Sequence, residues 1–285
     1  MLLTNYVLFQ ADLAAKGIGY AADHTVALGL NAVELLAGYP ATLPAFCDLR
    51  EAERTAAVLK RYGLQTACFS VGASLYGGDA KGAEEAFCRY AEIAAILGSP
   101  YLHHTICLPL VLPPNAPSYE TVLGETIDAI TRIAERAADF GITCLYEPQG
   151  MYFNGVAGLG TLLAEMKKRA ANVGVCGDVG NPLYVDADPA EIFTRFAADI
   201  RHVHVKDYFI RDEKPEEPDY APTRGGRYIK LCDFGEGDVD LLACLRALRA
   251  VNYDGAYALE FSGDDGRMRR AIDTFKALHA SAFGN

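Results

Sequence analysis

Four side chains that could bind a metal ion stand at or near the ends of four successive apolar runs. Glu147 ends the run ITCLYE, Asp178 ends VGVCGD, His204 lies near the end of RHVHVKD, and Glu260 ends AYALE. One polar residue after a strand is commonplace, but four in succession are harder to explain as simple strand ends. Neighbouring barrel strands lie about 4.8 Å apart, so inward-facing groups at one height can converge on a single ion.

The chemistry of these four residues indicates a site for one divalent ion. Three carboxylates and one imidazole form an oxygen-rich ligand set that favours Mn²⁺, Mg²⁺ or Co²⁺ and is compatible with Zn²⁺. Such an ion stabilises the negative charge that develops when a proton is removed beside a carbonyl. Glu147 and Glu260 are the candidate acid–base residues. Isomerisation, epimerisation and dehydration can all begin with removal of a proton beside a carbonyl, and the sequence does not choose between these reactions.

The run IRHVHVKDY, residues 200–208, has the alternation of a strand. His202, His204 and Lys206 should project on one side of it. Since ligands bind at the carboxyl ends of parallel strands, we expect His204 to be the metal ligand and His202 to lie deeper and unliganded. Lys206 is a candidate contact for the substrate or for an oxyanion. The alternative for each histidine is a hydrogen-bonded residue of the core.

Two further polar residues fall at predicted strand ends. Glu34 closes NAVEL and His104 lies in YLHHT, so both could sit at the same mouth and recognise substrate hydroxyls. For each, a hydrogen bond that only supports another site residue or anchors a loop is an equal alternative.

The chain alternates short β-like runs with longer amphipathic stretches eight times, which predicts a single (β/α)8 TIM barrel as one domain over residues 1–285. A doubly wound open sheet is the competing architecture, but no GxGxxG motif follows the first strand. The predicted strands are 2–9, 31–38, 64–72, 99–108, 142–148, 173–181, 200–208 and 254–263. The predicted helices are 19–29, 48–62, 80–97, 119–140, 161–170, 187–197, 239–253 and 267–283. Loops are predicted at 111–119, at 151–160 and over the thirty residues 209–238, which are too many for an ordinary connection and therefore expected to be functional.

Composition narrows the class of protein. The formal net charge of −11 opposes binding to nucleic acid and favours a small-molecule partner. No apolar run approaches the roughly 18 residues of a membrane span, and the first residues do not resemble a secretory signal, so we expect a cytoplasmic protein. The eight cysteines show no CxxC spacing and are expected to be free thiols. Proline- and aromatic-rich loops at the mouth are compatible with a homodimer.

The chain resembles the xylose isomerase-like TIM-barrel superfamily, and within it the sugar (phosphate) isomerase and epimerase group. The resemblance is carried by VEL at strand two, LYEP, GDVGNPL, HVHVKD, GEGDVD and LEF at strand eight. It implies a metal-dependent sugar isomerase or epimerase that acts through an enediolate. It also implies the ligands Glu147, Asp178, His204 and Glu260.

Two positions depart from the ketose 3-epimerases of that group. Asn181 stands where those enzymes usually have a substrate-binding His, and Ile210 stands where they have an Arg, with Arg211 one place later. Asn181 and Arg211 are therefore candidate substrate contacts, and a tagatose- or psicose-type 3-epimerase is disfavoured. The alternatives are an inosose-type dehydratase on the same site, a non-catalytic sugar-binding barrel and an endonuclease IV-type nuclease. The last would need more histidines and a basic DNA-binding face.

Overall fold

The computed structural model describes residues 1–38 and 48–284. The strands are β1 (Leu2–Thr4), β2 (Ala32–Gly38), β3 (Gln65–Gly72), β4 (Tyr101–His104), β5 (Thr143–Tyr146), β6 (Val173–Asp178), β7 (Ile200–Val205), β8 (Tyr208–Arg211), β9 (Ala221–Pro222), β10 (Tyr228–Leu231) and β11 (Ala256–Leu259). The helices are α1 (Tyr6–Lys16), α2 (Ile18–Ala27), α3 (Leu49–Arg61), α4 (Ala80–Ile96), α5 (Tyr119–Ala138), α6 (Gly155–Lys167), α7 (Pro189–Phe196), α8 (Leu241–Ala250) and α9 (Asp265–Phe283).

Eight parallel strands form the barrel, in the order β1, β11, β7, β6, β5, β4, β3, β2. Its two end strands approach each other through a few hydrogen bonds. The amide of Asn31 donates to the carbonyl of Leu3 at 3.3 Å. Leu3 N donates to Asn31 Oδ1 at 2.8 Å, and Glu34 N donates to Thr4 Oγ1 at 3.0 Å. The predicted (β/α)8 TIM barrel is confirmed.

Helices cover the outside of the barrel because each strand turns apolar side chains towards them. Val203 and Val205 of β7 are buried on that side and belong to the main hydrophobic core. Asp188 caps the N-terminus of α7, since its Oδ1 accepts a hydrogen bond from Ala190 N at 2.8 Å. Gly63 ends α3 with a φ of 68°, a left-handed conformation that glycine adopts without strain.

Several predicted boundaries were wrong, including the following three. The first strand ends at Thr4 because Asn5 Oδ1 accepts a hydrogen bond from Leu8 N at 2.9 Å and starts α1. The fourth strand contains only Tyr101–His104. The glycine-rich stretch 151–160 is not all loop, since Asn154 caps α6 at Gly155. Gly158 suits this helix because a Cβ there would meet the carbonyl oxygen of Tyr152 at 2.4 Å.

The long segment 209–238, predicted as a loop, contains most of a small antiparallel sheet in the order β8, β10, β9. Asp207, which follows β7, binds the C-terminal end of this segment. Its Oδ2 accepts hydrogen bonds from Gly235 N and Gly237 N, each at 3.0 Å. A Cβ on Gly237 would lie 2.1 Å from Asp207 Oδ1, so this glycine allows the close approach. The segment is thereby fixed beside Lys206, the preceding residue.

Two expectations from composition concern the described residues. Their cysteines are free thiols, and Cys47 lies outside the described ranges. In residues 1–38 and 48–284, no helix combines the length and apolar character required to cross a membrane.

Candidate metal centre and substrate cavity

Glu147, Asp178, His204 and Glu260, hereafter the quartet, converge at the carboxyl ends of β5, β6, β7 and β11. One ligand atom from each lies within 4.8 Å of those of the other three. The register explains the convergence, because His204 is the partner of Asp178 on one side and of Ala258 on the other. His204 Nδ1 lies 2.7 Å from Glu147 Oε1 and 2.9 Å from Glu260 Oε1.

The environment of Asp178 indicates whether the quartet is suited to bind a cation. Its Oδ1 is held by the backbone amides of Gly180 at 2.7 Å and Asn181 at 2.6 Å. Its Oδ2 is buried and pairs with the Lys206 ammonium at 2.8 Å, and it accepts no hydrogen bond from any other group. One oxygen thus fixes the side chain while the other faces the quartet. The donor set fits a hard divalent ion.

Glu34 lies at the floor of the barrel and orients His204. It is fully buried, and its Oε1 lies 3.0 Å from His204 Nε2 while its Oε2 lies 2.8 Å from His202 Nε2. Ser70 Oγ also donates to Glu34 Oε1, at 2.5 Å. Because Glu34 accepts from Nε2, the nitrogen of His204 that can offer a lone pair to an ion is Nδ1, which faces the other three quartet members. Carboxylate–histidine–metal arrangements have this form.

Of the two roles predicted for Glu34, the structure favours the supporting one. Its carboxylate is occupied by three neighbouring side chains, so it supports the centre from below and is not a free hydroxyl-binding group at the mouth. His202 lies deeper than His204, on the same face of β7, and contacts Glu34. Glu34, His202 and His204 also form a possible ligand set, as do His103, Cys176 and His204. The quartet has more carboxylate ligands than either of these sets, which favours it over both.

Lys206 lies among the quartet and not on the surface. Its Nζ is 2.8 Å from Asp178 Oδ2 and 3.1 Å from Asn181 Oδ1, and it also contacts Glu260 Oε2. Burial alone would lower the pKa of Lys206, but Asp178 and Glu260 raise it well above its ordinary value. Lys206 therefore remains positively charged. It pairs with the carboxylates of Asp178 and Glu260 and donates a hydrogen bond to Asn181 beside them.

The two glutamates of the quartet are ionised at neutral pH. Burial by itself would raise the pKa of Glu147, but His204 and His103 outweigh burial and lower it. Burial likewise opposes ionisation of Glu260, and the Lys206 ammonium and His204 lower its pKa. Both carboxylates can therefore accept a proton or bind a cation.

A cavity of about 200 Å³ opens above the quartet. Its polar lining includes Tyr6, Glu34, Ser70, His103, Thr105, Glu147, Gln149, Asn181, His204, Lys206 and Glu260. A larger depression of about 710 Å³ lies at the opposite end of the barrel, but it contains no member of the quartet. Of these two cavities, the smaller one lies at the candidate metal centre.

The sequence prediction named His104, but the adjacent His103 is the histidine that lies at the cavity. His103 lines the cavity, with its Nε2 3.6 Å from Glu147 Oε2 and its Nδ1 3.1 Å from Ser70 Oγ. His104 points outward and packs against Phe87 of α4. Contrary to the prediction, it therefore does not line the cavity. Adjacent strand residues face opposite ways, so one of the two histidines had to face inward.

Arg211 is the other predicted contact that the structure places elsewhere. It lies on β8, is exposed, and pairs with Asp238 at 2.8 Å. It is absent from the lining of the cavity, whereas Asn181 and Lys206 are present there.

Comparison with known proteins agrees with this architecture. A family model described as "Xylose isomerase-like TIM barrel" matches residues 22–278. Among curated proteins, none matches the sequence.

Solved structures share the fold at low identity. A xylose isomerase domain protein from Planctomyces limnophilus is 17% identical, with 100% of this chain and 98% of that chain covered and a TM-score of 0.75. An L-ribulose 3-epimerase is 16% identical over 99% and 96% of the two chains, with a TM-score of 0.75. An "IOLI protein with a binding zinc atom" is 16% identical over 100% of both, with a TM-score of 0.72. At such identities the likeness shows the fold alone.

Proposed function

Because the chain belongs to the xylose isomerase-like TIM-barrel family, we propose that it is a divalent-metal-dependent sugar isomerase or epimerase. The observation that carries the proposal is the convergence of the quartet beneath a small polar cavity at the carboxyl ends of the strands. In TIM-barrel enzymes this end of the barrel is where active sites are found. The substrate would be a sugar or another polyol that bears a carbonyl.

The proposed cofactor is one divalent ion held by Glu147, Asp178, His204 and Glu260. Mn²⁺, Mg²⁺ and Co²⁺ suit the three carboxylates, and Zn²⁺ is compatible with the histidine. The IOLI protein, which shares the fold, was solved with a binding zinc atom, and this supports a metal-binding role for the present chain. When bound, the ion would act as a Lewis acid on the substrate's carbonyl and a neighbouring hydroxyl.

Glu147 and Glu260 are the proposed acid–base pair. They approach His204 Nδ1 from different strands, at 2.7 and 2.9 Å, and both are ionised at neutral pH. One carboxylate would remove the proton from the carbon beside the carbonyl and leave an enediolate on the substrate. The other, or the same one, would return a proton to a different carbon or to the opposite face.

Lys206 and Asn181 are the proposed substrate contacts. The Lys206 ammonium can stabilise an oxyanion that forms near Glu260, and the Asn181 amide can exchange hydrogen bonds with substrate hydroxyls. Both line the cavity. The contact between Lys206 Nζ and Asn181 Oδ1 at 3.1 Å fixes which end of the amide faces the lysine.

Metal content and proton exchange together test the proposal. About one divalent ion per chain is expected. The Mn²⁺-loaded protein should incorporate solvent deuterium into at least one substrate in a screen of ketoses, hydroxypyruvate and inososes. Glu147→Gln and Glu260→Gln, each reloaded with metal, should lose turnover by a factor of about 10²–10⁴, because an amide cannot accept the proton. Exchange at the wild-type rate by a metal-loaded double variant would refute the acid–base assignment.

The same measurements separate the alternatives. An inosose-type dehydratase would use the same site but release water from the substrate, which product analysis would detect. A non-catalytic sugar-binding barrel would bind sugars without deuterium exchange. An endonuclease IV-type nuclease would contain three zinc ions.

A further inference from the structure

Negative charge dominates the cavity and its floor. Four carboxylates are present, from Glu34, Glu147, Asp178 and Glu260. The Lys206 ammonium neutralises only part of their negative charge. That ammonium is already in contact with Asp178 and Glu260. A divalent ion on the quartet would still leave one negative charge, because His204 is neutral when it is a ligand. An anionic group on a substrate would therefore meet repulsion in the cavity.

Most of the connections that follow the barrel strands supply no further cation. Seven of the eight connections that follow barrel strands contain no Lys or Arg, namely residues 5, 39–48, 73–79, 105–118, 147–154, 179–188 and 260–264. Residues 39–47 lie outside the described ranges, and their sequence also contains no lysine or arginine.

The remaining connection, residues 206–240, carries five basic side chains besides Lys206, and three of them already have acidic partners. Arg211 pairs with Asp238 at 2.8 Å, and Arg227 pairs with Asp186 at 3.0 Å. Lys230 lies 3.8 Å from Glu217. Lys214 and Arg224 are exposed, and neither lines the cavity. Enzymes that hold a phosphate or carboxylate commonly place an arginine or lysine on it, and the described cavity offers no such unpaired group.

The neutral part of the lining is suited to hydroxyl groups. Tyr6, Thr105, Gln149 and Asn181 present donors and acceptors without charge. The volume of about 200 Å³ is below the range of about 300–1,000 Å³ typical of sites for drug-sized ligands. We propose that the substrate is a small uncharged polyhydroxy ketone or aldehyde that carries neither phosphate nor carboxylate. This inference rests on the proposed function and narrows its substrate class.

Matched pairs of substrates test the inference. The Mn²⁺-loaded protein is incubated in D₂O with neutral ketopentoses and ketohexoses and with the terminal phosphate of each, and deuterium incorporation is followed by mass spectrometry. The neutral member of a pair should show a kcat/KM at least about tenfold higher. A preference for the phosphorylated member would overturn this inference while supporting metal-dependent proton abstraction. No exchange with either class, in protein that holds the metal, would overturn the proposed function and this inference with it.

Two variants test whether charge is the cause. Leu108 lines the cavity and is 39% exposed, so Leu108→Arg adds a cation at the mouth. It should reduce the discrimination against phosphorylated substrates by at least about tenfold, while Leu108→Met controls for the altered shape. An unchanged ratio in Leu108→Arg would overturn the electrostatic argument. Arg224→Ala should not alter the ratio, and a loss of activity confined to phosphorylated substrates in that variant would show that the mouth does bind an anion.

Discussion

Replacement of His104 by leucine should reduce the loss of stability at acidic pH. His104 is 1% exposed, and its Nδ1 donates to the carbonyl of Thr105 at 3.2 Å. Its ring lies 5.4 Å from the rings of both Phe87 and Tyr146, and its Nε2 has no hydrogen-bond partner. Burial therefore lowers the pKa of His104 to about 4, although the Thr105 carbonyl opposes this shift.

The size of the effect follows from the difference between this pKa and that of the unfolded chain, about 6.5. Above pH 6.5 His104 is neutral in both states and contributes no pH dependence. As the pH falls, His104 becomes protonated in the unfolded chain but stays neutral in the folded protein, so the folded state loses stability between pH 6.5 and pH 4. The loss relative to pH 8 should be about 2 kcal/mol at pH 5 and about 3 kcal/mol below pH 4.

Urea unfolding of wild type and His104→Leu at pH 8 and pH 5 measures this loss. Both proteins are kept metal-free with a chelator, so that release of metal at low pH does not contribute. The free energy of unfolding of the variant, relative to wild type, should rise by about 2 kcal/mol between pH 8 and pH 5. Other titrating groups cancel in this comparison. A relative value that is the same at both pH values would refute the assigned environment of His104.

His24 provides a control of opposite sign. Burial lowers the pKa of His24, but Asp12 and Asp265 outweigh burial and raise it. His24 therefore stabilises the fold at low pH, and this contribution is lost as the pH rises through its folded pKa. His24→Leu should lose stability relative to wild type on going from pH 8 to pH 5. A change in the same direction as His104→Leu would contradict the ion pairs of His24 with Asp12 and Asp265.

Three further substitutions have defined outcomes. Glu34→Gln should weaken binding of a divalent ion by about 10–100-fold in calorimetric titration, because it disturbs the partner of the His204 ligand; an unchanged Kd would show that Glu34 does not orient His204. Lys206→Met should lower the free energy of unfolding of the metal-free protein by about 3–5 kcal/mol, since it leaves buried carboxylates unpaired, and equal stability would exclude that ion pairing. Asp188→Ala should cost about 1 kcal/mol through loss of the α7 cap, with the Kd for metal unaffected.

The sequence allowed the barrel and the residues of the quartet to be predicted because both depend on local patterns. Apolar runs separated by amphipathic stretches define the βα repeat, and a polar residue that directly follows such a run lies at the carboxyl end of its strand. Glu147, Asp178 and Glu260 all have this position. Their use as metal ligands remains a prediction, although the structure brings their oxygens together.

Features that depend on distant contacts could not be predicted. The position of Glu34 on the floor is set by hydrogen bonds to His202 and His204, 168 and 170 residues away. Whether His103 or His104 faces inward depends on the register of β4, which adjacent histidines do not reveal. The attachment of the segment 209–238 beside Lys206 depends on Asp207, which accepts hydrogen bonds from amides 28 and 30 residues later.

Anomalous diffraction from a crystal of the protein soaked with Mn²⁺ tests the central claim most directly. We expect one manganese peak per chain at the carboxyl ends of the barrel strands. It should lie about 2.0–2.4 Å from an oxygen of Glu147, Asp178 and Glu260 and from Nδ1 of His204, as in protein sites for divalent ions. A principal peak on Glu34 and His202, or the lack of any peak at the quartet with saturating Mn²⁺, would contradict the account.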